Sequence, residues 1–242
     1  MSANAVPVTP SGLTPAAALA TLGTIVLDPG HGGTQTVGGS KANNATSFTG
    51  VKEKKLTLDF CMVLRDSLQT LAQQKNKQIK VVLTRTDDVN IGIAARSKFA
   101  ATHKADLFLA LHFNGLEDRT VRGVETYFKE IGNLNLADDK DFATRVNNSL
   151  FASLKSIDTQ AKNRGVKPDT DSGPGSMPLL RDDRLGNVNR PKKCRACYVE
   201  LEFITNKRVD ELLISGPNAS QNVRTVMGNL ASTLIDYLEM IA

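Results

Sequence analysis

The sequence predicts a single α/β domain with a mostly parallel β-sheet covered by helices on both faces. Segments typical of strands and of helices alternate along the chain after Gly23. One strand-like segment, Ala105–His112, is an almost continuous apolar run, which indicates burial on both faces. The 242 residues, 40% of them hydrophobic, are sufficient for one full core. We therefore assign residues 23–242 to one domain.

The first half of this domain is predicted to contain four strands and two helices. Apolar side chains recur at helical spacing after Glu53, from Leu56 through Phe60 and Leu64 to Leu71. The expected elements are a strand at Thr24–Asp28, a polar loop at Gly30–Gly50, a helix from Glu53 to about Gln73, a strand at Gln78–Leu83, a helix at Ile91–Thr102 with Ala94, Ala95, Phe99 and Ala100 inward, and strands at Ala105–His112 and Val121–Phe128.

The second half is predicted to begin and end with a long amphipathic helix. Between these helices we expect irregular structure, short strands and a charged surface loop. The elements are a helix at Asp138–Ser156, an irregular stretch at Asp158–Pro174, a short strand at Met177–Leu180, a surface loop at Arg181–Lys193, a strand at Cys197–Ile204 and a final helix from Asn218 or Ser220 to Ile241.

Composition narrows the classes of partner and compartment. The net charge of +5 favours an anionic partner, but the charge is diffuse, and the absence of tryptophan gives nucleic acid only weak support. We expect no membrane span, because no apolar run has the required length. Residues 1–22 are predicted to be a flexible leader rich in Ala, Pro and Thr. The first basic residue is Lys41, so this leader lacks the positive segment of a secretory signal.

The three cysteines are Cys61, Cys194 and Cys197. The Cys194-x-x-Cys197 spacing suggests a redox pair or zinc ligands, but a redox pair usually opens a helix after a strand, and structural zinc needs a second ligand pair. Packed, reduced thiols are the favoured interpretation, and a local disulfide is the alternative.

A histidine on a glycine-rich turn is the first candidate for chemistry. His31 follows the first predicted strand and lies between Gly30 and Gly32, where no structural requirement selects histidine. Glu53 opens a helix and His112 ends an apolar strand. Two imidazoles and one carboxylate are the ligands of a catalytic zinc site that keeps a fourth position for water. We therefore predict a metal site at His31, Glu53 and His112.

Simpler interpretations compete at two of these positions and at the glycine turn. The helix macrodipole alone favours a glutamate at Glu53, and His112 could be a hydrogen-bonded histidine at the margin of the core. The turn also resembles a dinucleotide-binding loop, but the third glycine of that fingerprint is replaced by Gln35. The nucleotide interpretation is therefore excluded.

A proton acceptor is predicted on the strand at Cys197–Ile204. Side chains alternate along a strand, so Glu200 and Glu202 should share one face. A carboxylate in an apolar strand is costly unless it has a partner, and a nearby metal would be one. A surface-facing position is the simpler interpretation for Glu202, whereas Glu200 is the expected base.

An ordered series of motifs covers most of the chain from residue 24. The motifs are Val26–Gly32, Gly50–Leu56, Leu83–Asp88 with Arg96, Ala105–Asn114, Gly123–Tyr127, Arg164–Lys167 and Val199–Asn206. In this order they resemble the zinc-dependent N-acetylmuramoyl-L-alanine amidases of bacterial cell walls. The resemblance implies one zinc ion bound by His31, Glu53 and His112, a catalytic Glu200, and a mixed six-stranded sheet flanked by helices.

The resemblance also implies a substrate and a reaction. The substrate would be peptidoglycan, cut at the amide between the lactyl group of N-acetylmuramic acid and L-alanine of the stem peptide. Three positions depart from the family pattern: Ala110 replaces a serine, Glu202 replaces a small residue, and Arg181–Arg195 is longer than expected and is predicted to line the substrate groove.

Three biological settings fit these expectations: a phage lysin, an antibacterial effector that requires an immunity partner, or a remodelling enzyme whose leader was removed. In each setting we expect a monomer that acts in the periplasm or cell wall. A non-catalytic wall binder and a regulatory nucleic-acid binder are the competing classes of function.

Overall fold

The computed structural model describes residues 21–242. Its sheet has six strands in the order β2-β1-β3-β6-β4-β5. The strands are β1 (Thr21–Pro29), β2 (Gln78–Leu83), β3 (Leu107–Asn114), β4 (Val124–Phe128), β5 (Asn163–Pro168) and β6 (Arg195–Phe203). All neighbouring pairs are parallel except β4 and β6, which are antiparallel. The predicted fold class, including the mixed sheet, is confirmed.

Helices cover both faces of this sheet. The helices are α1 (Glu53–Gln74), α2 (Ile93–Thr102), α3 (Leu136–Ile157), α4 (Asp182–Leu185), α5 (Lys207–Asp210) and α6 (Ala219–Ile241). The larger hydrophobic cluster lies between the sheet and α1, α3 and α6, and the smaller one lies under α2 and α4. Strand β3 contributes side chains to both clusters, which explains its continuous apolar sequence. No helix in the described part of the chain has the length and apolar character to cross a bilayer.

The parallel strands β1, β3 and β6 end at the same edge of the sheet. Ligands in α/β sheets usually bind at the carboxyl ends of the strands. His31 follows the end of β1, His112 lies near the end of β3 and Glu200 lies in the second half of β6. The topology therefore brings three distant parts of the sequence to one edge.

Several local predictions between residues 158 and 195 are wrong. Residues predicted to be irregular form β5, an edge strand whose polar, half-exposed sequence lacks hydrophobic alternation. The strand predicted at Met177–Leu180 is instead a turn of 3₁₀-helix at Pro178–Leu180, because proline cannot donate a ladder hydrogen bond. The predicted surface loop Arg181–Lys193 contains α4 and a second 3₁₀ turn, and its Leu185 is buried.

Two other expectations change in detail. Ala94 and Ala95 are exposed, whereas Arg96 and Ser97 face inward from α2. Arg96 faces inward because it donates a hydrogen bond to the carbonyl of Pro29 at the buried end of β1. The predicted leader, residues 1–22, lies outside the described residues except for Thr21 and Leu22, which begin β1.

The three cysteine thiols are free and fully buried, as the packing interpretation predicts. Burial raises the pKa of the Cys197 thiol well above its usual value and also raises those of Cys61 and Cys194. These thiols are therefore protonated at neutral pH and behave as small hydrophobic side chains.

Candidate metal centre

Three side chains that are far apart in the sequence meet at the edge of the sheet. One ligand atom each from His31, Glu53 and His112 lies within 4.8 Å of the other two. The Oε1 atom of Glu53 is 3.1 Å from Nε2 of His31 and 3.1 Å from Nδ1 of His112. The Glu53 side chain is only 1% exposed, and each histidine side chain is 11% exposed.

His31 presents Nε2 to this cluster because its other ring nitrogen is already bound. Nδ1 lies 2.9 Å from the carbonyl oxygen of Lys41. A carbonyl only accepts, so Nδ1 carries the hydrogen and Nε2 has a free lone pair. The backbone of His31 is left-handed, with φ of 62°, which costs roughly 1–2 kcal/mol for a residue with a Cβ. The following Gly32 has φ of 131°, and an added Cβ there would meet the carbonyl of Val89.

Glu53 is the first residue of α1, and four hydrogen bonds fix its position. Its backbone N–H donates to the carbonyl of Ala45, and the N–H of Ala45 donates to Oε2. The backbone N–H of Phe113 and the ring of His112 donate to Oε1. Burial alone would raise the pKa of Glu53, but the hydrogen bond from His112 and the electrostatic interaction with the two imidazoles outweigh it and hold the pKa far below the usual range. Glu53 is therefore an anion.

His112 is held by ring stacking. Its imidazole lies nearly parallel to the ring of Tyr198, at 18° and a centroid distance of 4.4 Å. Burial lowers the pKa of His112, although Glu53 opposes this effect. A lowered pKa favours the neutral imidazole, which is the form that binds metals.

The donor set fits a divalent cation such as zinc. Nε2 of His31 has a lone pair and faces a carboxylate oxygen, an arrangement that a cation would stabilise. Two neutral imidazoles and one carboxylate match a catalytic zinc site, and the hydrogen bond from His31 to Lys41 is the support that such ligands usually have. The predicted residues therefore come together, and no other group of three His, Cys, Asp or Glu ligand atoms does so among residues 21–242.

Two buried arginines hold the backbone around His31. Arg85 donates to the carbonyl oxygens of Pro29, Gly30 and Lys54 at 3.0, 2.9 and 2.6 Å. It thereby connects the His31 turn to the first turn of α1. Arg96 donates to the carbonyls of Pro29 and His31, both at 2.7 Å.

Asp28 supports one of these arginines. Its Oδ1 atom accepts hydrogen bonds from Arg96, at 2.8 Å, and from Thr84. In the sequence, Arg85 and Arg96 stand out only as parts of a motif. An arginine two residues after a strand and an arginine inside a short helix were the available signal, but most of the carbonyls that they bind lie more than 30 residues away in the sequence.

Glu200 lies beside the cluster with an unsatisfied oxygen. It is the neighbour of His112 on β3 and of Glu125 on β4. Its Oε2 atom is buried without a hydrogen-bond partner among the described residues. Burial, followed by the charges of Glu53 and Glu125, raises the pKa of Glu200 well above its usual value. A raised pKa makes this carboxyl a stronger proton acceptor.

The interpretation of Glu202 as a surface residue is wrong. Glu202 is fully buried, and its carboxylate accepts from the backbone N–H groups of Gly123 and Phe203 at 2.6 and 3.2 Å. It also pairs with Arg122 at 3.3 Å. The register between β3 and β6 shifts by one residue in this segment, so simple alternation does not continue from Glu200.

Glu125 belongs to the candidate site but was not predicted from the sequence. It is buried opposite Glu200 and is bound by Asn114, Arg164 and Lys167. Burial would raise its pKa, but the bonds from Lys167 and Arg164 lower it below the usual value. A carboxylate within an otherwise apolar strand was the signal that identified Glu200, and the same signal was present at Glu125.

Comparison with known proteins agrees with this geometry. Residues 25–228 match the family model described as N-acetylmuramoyl-L-alanine amidase. The chain is 35% identical over 129 residues to the N-acetylmuramoyl-L-alanine amidase CwlM of Bacillus licheniformis, a match that covers 50% of this chain and 46% of CwlM. It is 32% identical over 118 residues to the probable cell wall amidase LytH of Staphylococcus aureus, covering 49% of this chain and 35% of LytH. The matched region thus spans less than half of each of these relatives.

Solved structures have the same fold. An N-acetylmuramoyl-L-alanine amidase from Clostridium difficile 630 superposes with a TM-score of 0.70 at 21% identity, covering 92% of this chain and all of that one. The catalytic domain of CwlV from Paenibacillus polymyxa gives a TM-score of 0.65 at 21% identity, covering 90% and 98% of the two chains. At these identities the similarity shows the fold alone.

Proposed function

This chain belongs to the N-acetylmuramoyl-L-alanine amidase family, and from this premise we propose that it hydrolyses the amide between the lactyl group of N-acetylmuramic acid and L-alanine of the stem peptide. The observation that carries the proposal is the buried cluster of His31, Glu53 and His112 beside the unsatisfied carboxyl of Glu200. Metal ligands and a proton acceptor are the two parts that metal-assisted hydrolysis of an amide uses.

His31, Glu53 and His112 would hold one zinc ion. A bound zinc ion would lower the pKa of a water ligand to about 7 and would polarise the scissile carbonyl. The bond from His31 to Lys41 and the stacking of His112 on Tyr198 keep the two rings oriented for this task.

Glu200 would act as the general base and then as the general acid. Its carboxylate would take a proton from the attacking water and return it to the leaving nitrogen of L-alanine. The position of Glu200 beside His112 supports both steps, because an amide nitrogen leaves only when it is protonated. The free Oε2 atom provides the position for that proton.

The place of action follows from the substrate. The enzyme would act in the periplasm or cell wall as a monomer, with residues 23–242 as the catalytic domain. A phage lysin, a secreted effector with an immunity partner and a remodelling enzyme remain alternative settings, and neighbouring genes would distinguish them.

The direct test is the release of amino groups from purified peptidoglycan. We expect the zinc-loaded protein to release them, a chelator to stop the reaction and added zinc to restore it. Glu200→Gln should retain stoichiometric zinc and lose at least about 1,000-fold in turnover, within the range for removal of a general base. The control Glu239→Gln, in an ion pair on α6, should keep full activity.

Two results would contradict this function. Binding of peptidoglycan without release of amines would indicate the non-catalytic wall binder. Full turnover by Glu200→Gln would show that another group is the general base.

A further inference from the structure

A row of neighbouring residues crosses the sheet from the metal centre to its edge. His112 on β3 is opposite Glu200 on β6, Glu200 is opposite Glu125 on β4, and Glu125 is opposite Gly165 on β5. Residues directly opposite each other on paired strands project from the same face. The face that carries the candidate site therefore continues to β5, the outermost strand.

A second row runs parallel to the first and ends in a cation. Tyr198 is opposite Tyr127, and Tyr127 is opposite Lys167. The two tyrosine rings are in edge contact with centroids 6.4 Å apart, and Nζ of Lys167 lies 5.9 Å from the centroid of Tyr127. Since Tyr198 also stacks on His112, the aromatic rings form a continuous path from the metal centre to Lys167.

The end of this path has an excess of positive charge. Arg164 and Lys167 both donate to the same oxygen of Glu125, at 2.9 and 2.5 Å. The other oxygen of Glu125 accepts from Asn114. One carboxylate thus faces two cations, and one positive charge remains.

Both cations can also reach a ligand. The Arg164 side chain is 37% exposed and that of Lys167 is 27% exposed, whereas Glu125 is buried. A lysine has three N–H donors and an arginine five, so the contacts to Glu125 leave donors for a second anion.

We propose that Arg164 and Lys167 form a subsite that binds a carboxylate of the leaving peptide. This inference rests on the proposed function. The lactyl carboxyl of the sugar is consumed in the scissile amide, so the ionised carboxylates near the bond belong to the peptide. Charge complementarity therefore places the peptide, rather than the glycan, along the path towards β5.

The distance from Glu200 to β5 fits a carboxylate on the second or third residue of the peptide. Strands β6 and β5 are separated by two strand spacings, about 10 Å. An extended peptide advances about 3.3–3.6 Å per residue, so two or three residues span the distance from Glu200 to β5. The subsite contacts a group remote from the reacting atoms and is expected to affect KM more than kcat.

The test compares substrates with and without a negative charge in the wild type and in variants that lack one positive charge. The substrates are soluble muramoyl peptides in which the residue after L-alanine carries either a carboxylate or a carboxamide, and a second pair that differs in the same way at the C-terminus. For one of the two pairs, the zinc-loaded wild type should have a KM about tenfold lower with the carboxylate, as expected for one charge-assisted hydrogen bond. The pair that shows this preference identifies the carboxylate that is bound.

Lys167→Gln should remove the preference. We expect it to raise the KM for the carboxylate substrate about tenfold and to leave the carboxamide within about twofold, with kcat little changed. Lys167→Arg keeps the charge and should restore most of the preference, and Arg164→Gln should also reduce it. The matched control is Lys75→Gln. Lys75 lies at the end of α1 and pairs with Asp236 on α6, so its replacement should keep the wild-type preference.

Two outcomes would overturn the subsite: no wild-type preference in either pair, or an equal loss on carboxylate and carboxamide in Lys167→Gln. If the wild type hydrolyses none of the substrates, the proposed function fails separately. The free peptide pairs are then compared by calorimetry, where equal affinities for carboxylate and carboxamide would overturn the subsite as well.

Discussion

The backbone of Gly30 lies directly against the imidazole ring of His112. A Cβ added at Gly30 would lie 2.2 Å from Cε1 and 2.4 Å from Nε2 of that ring, closer than atoms can approach. The glycine before His31 is therefore required by the second histidine of the cluster, which is 82 residues away in the sequence. The contact joins the end of β1 to β3 at the candidate metal centre.

The contact predicts that Gly30→Ala weakens metal binding. The added methyl group must displace the His112 ring, so we expect zinc affinity to fall by at least about tenfold and stability to fall by about 1–3 kcal/mol. Competition with a chromophoric chelator measures the affinity, and thermal unfolding measures the stability. Gly173→Ala is the control, because nothing lies within 4 Å of a Cβ at that position. Unchanged zinc affinity in Gly30→Ala would show that the ring does not need its present position.

The ligand assignment predicts the loss of zinc from two histidine variants. His31→Ala or His112→Ala removes one of three ligands and should weaken zinc binding by more than about 100-fold, because changes outside the ligand shell already cost 10–100-fold. Metal analysis after gel filtration measures the stoichiometry. His103→Ala is the control, since His103 packs on Phe99 at the end of α2. Stoichiometric zinc in both ligand variants would refute the assignment.

Arg85 contacts the residues next to His31 and Glu53, so we expect it to position these two ligands. Lysine has one nitrogen and cannot replace the Nε bond to Pro29 together with the Nη2 bonds to Gly30 and Lys54, so Arg85→Lys should lower zinc affinity by about 10–100-fold. It should also change the visible absorption spectrum of the cobalt-substituted protein, which reports ligand geometry.

Arg122→Lys is the matched control for Arg85→Lys. Arg122 is also nearly buried and paired, with Asp158 and Glu202, so its replacement should cost stability without changing the cobalt spectrum. If both variants showed the same spectral change, Arg85 would have only a general structural role and would not position the ligands.

The buried carboxyl group of Asp139 should make the stability of the protein depend on pH. It is buried in the first turn of α3, and burial raises its pKa from 3.8 to about 7, although hydrogen bonds from Asn133, Ala196 and Asn135 oppose this. The folded state therefore holds a proton that the unfolded state releases between these two values. The free energy of unfolding should fall as the pH rises from about 4 to about 7, by at most roughly 4 kcal/mol from this group.

Asp139→Asn isolates this contribution. Urea unfolding of the metal-free protein at several pH values should give a smaller fall for Asp139→Asn than for the wild type. Asp141→Asn, at an exposed position on the same helix, should retain the wild-type slope. Parallel slopes for wild type and Asp139→Asn would contradict the prediction.

The elements of the fold were largely predictable because their signals are local. Helix α1 starts at Glu53 as expected, and strand β2 has its predicted bounds. These segments have hydrophobic residues at a regular spacing, which depends only on near neighbours in the sequence. The edge strand β5 was missed because it is half-exposed and lacks that spacing.

The sequence by itself determined the α/β class, the segments that carry His31, Glu53, His112 and Glu200, and the family. Tertiary structure decided the strand order, the antiparallel pairing of β4 with β6 and the nitrogen that each histidine presents. It also placed Glu125 beside Glu200 and buried Glu202 against Arg122. The physical reason is that these features depend on hydrogen bonds and ion pairs between residues tens of positions apart, and on strand register, which no local pattern specifies.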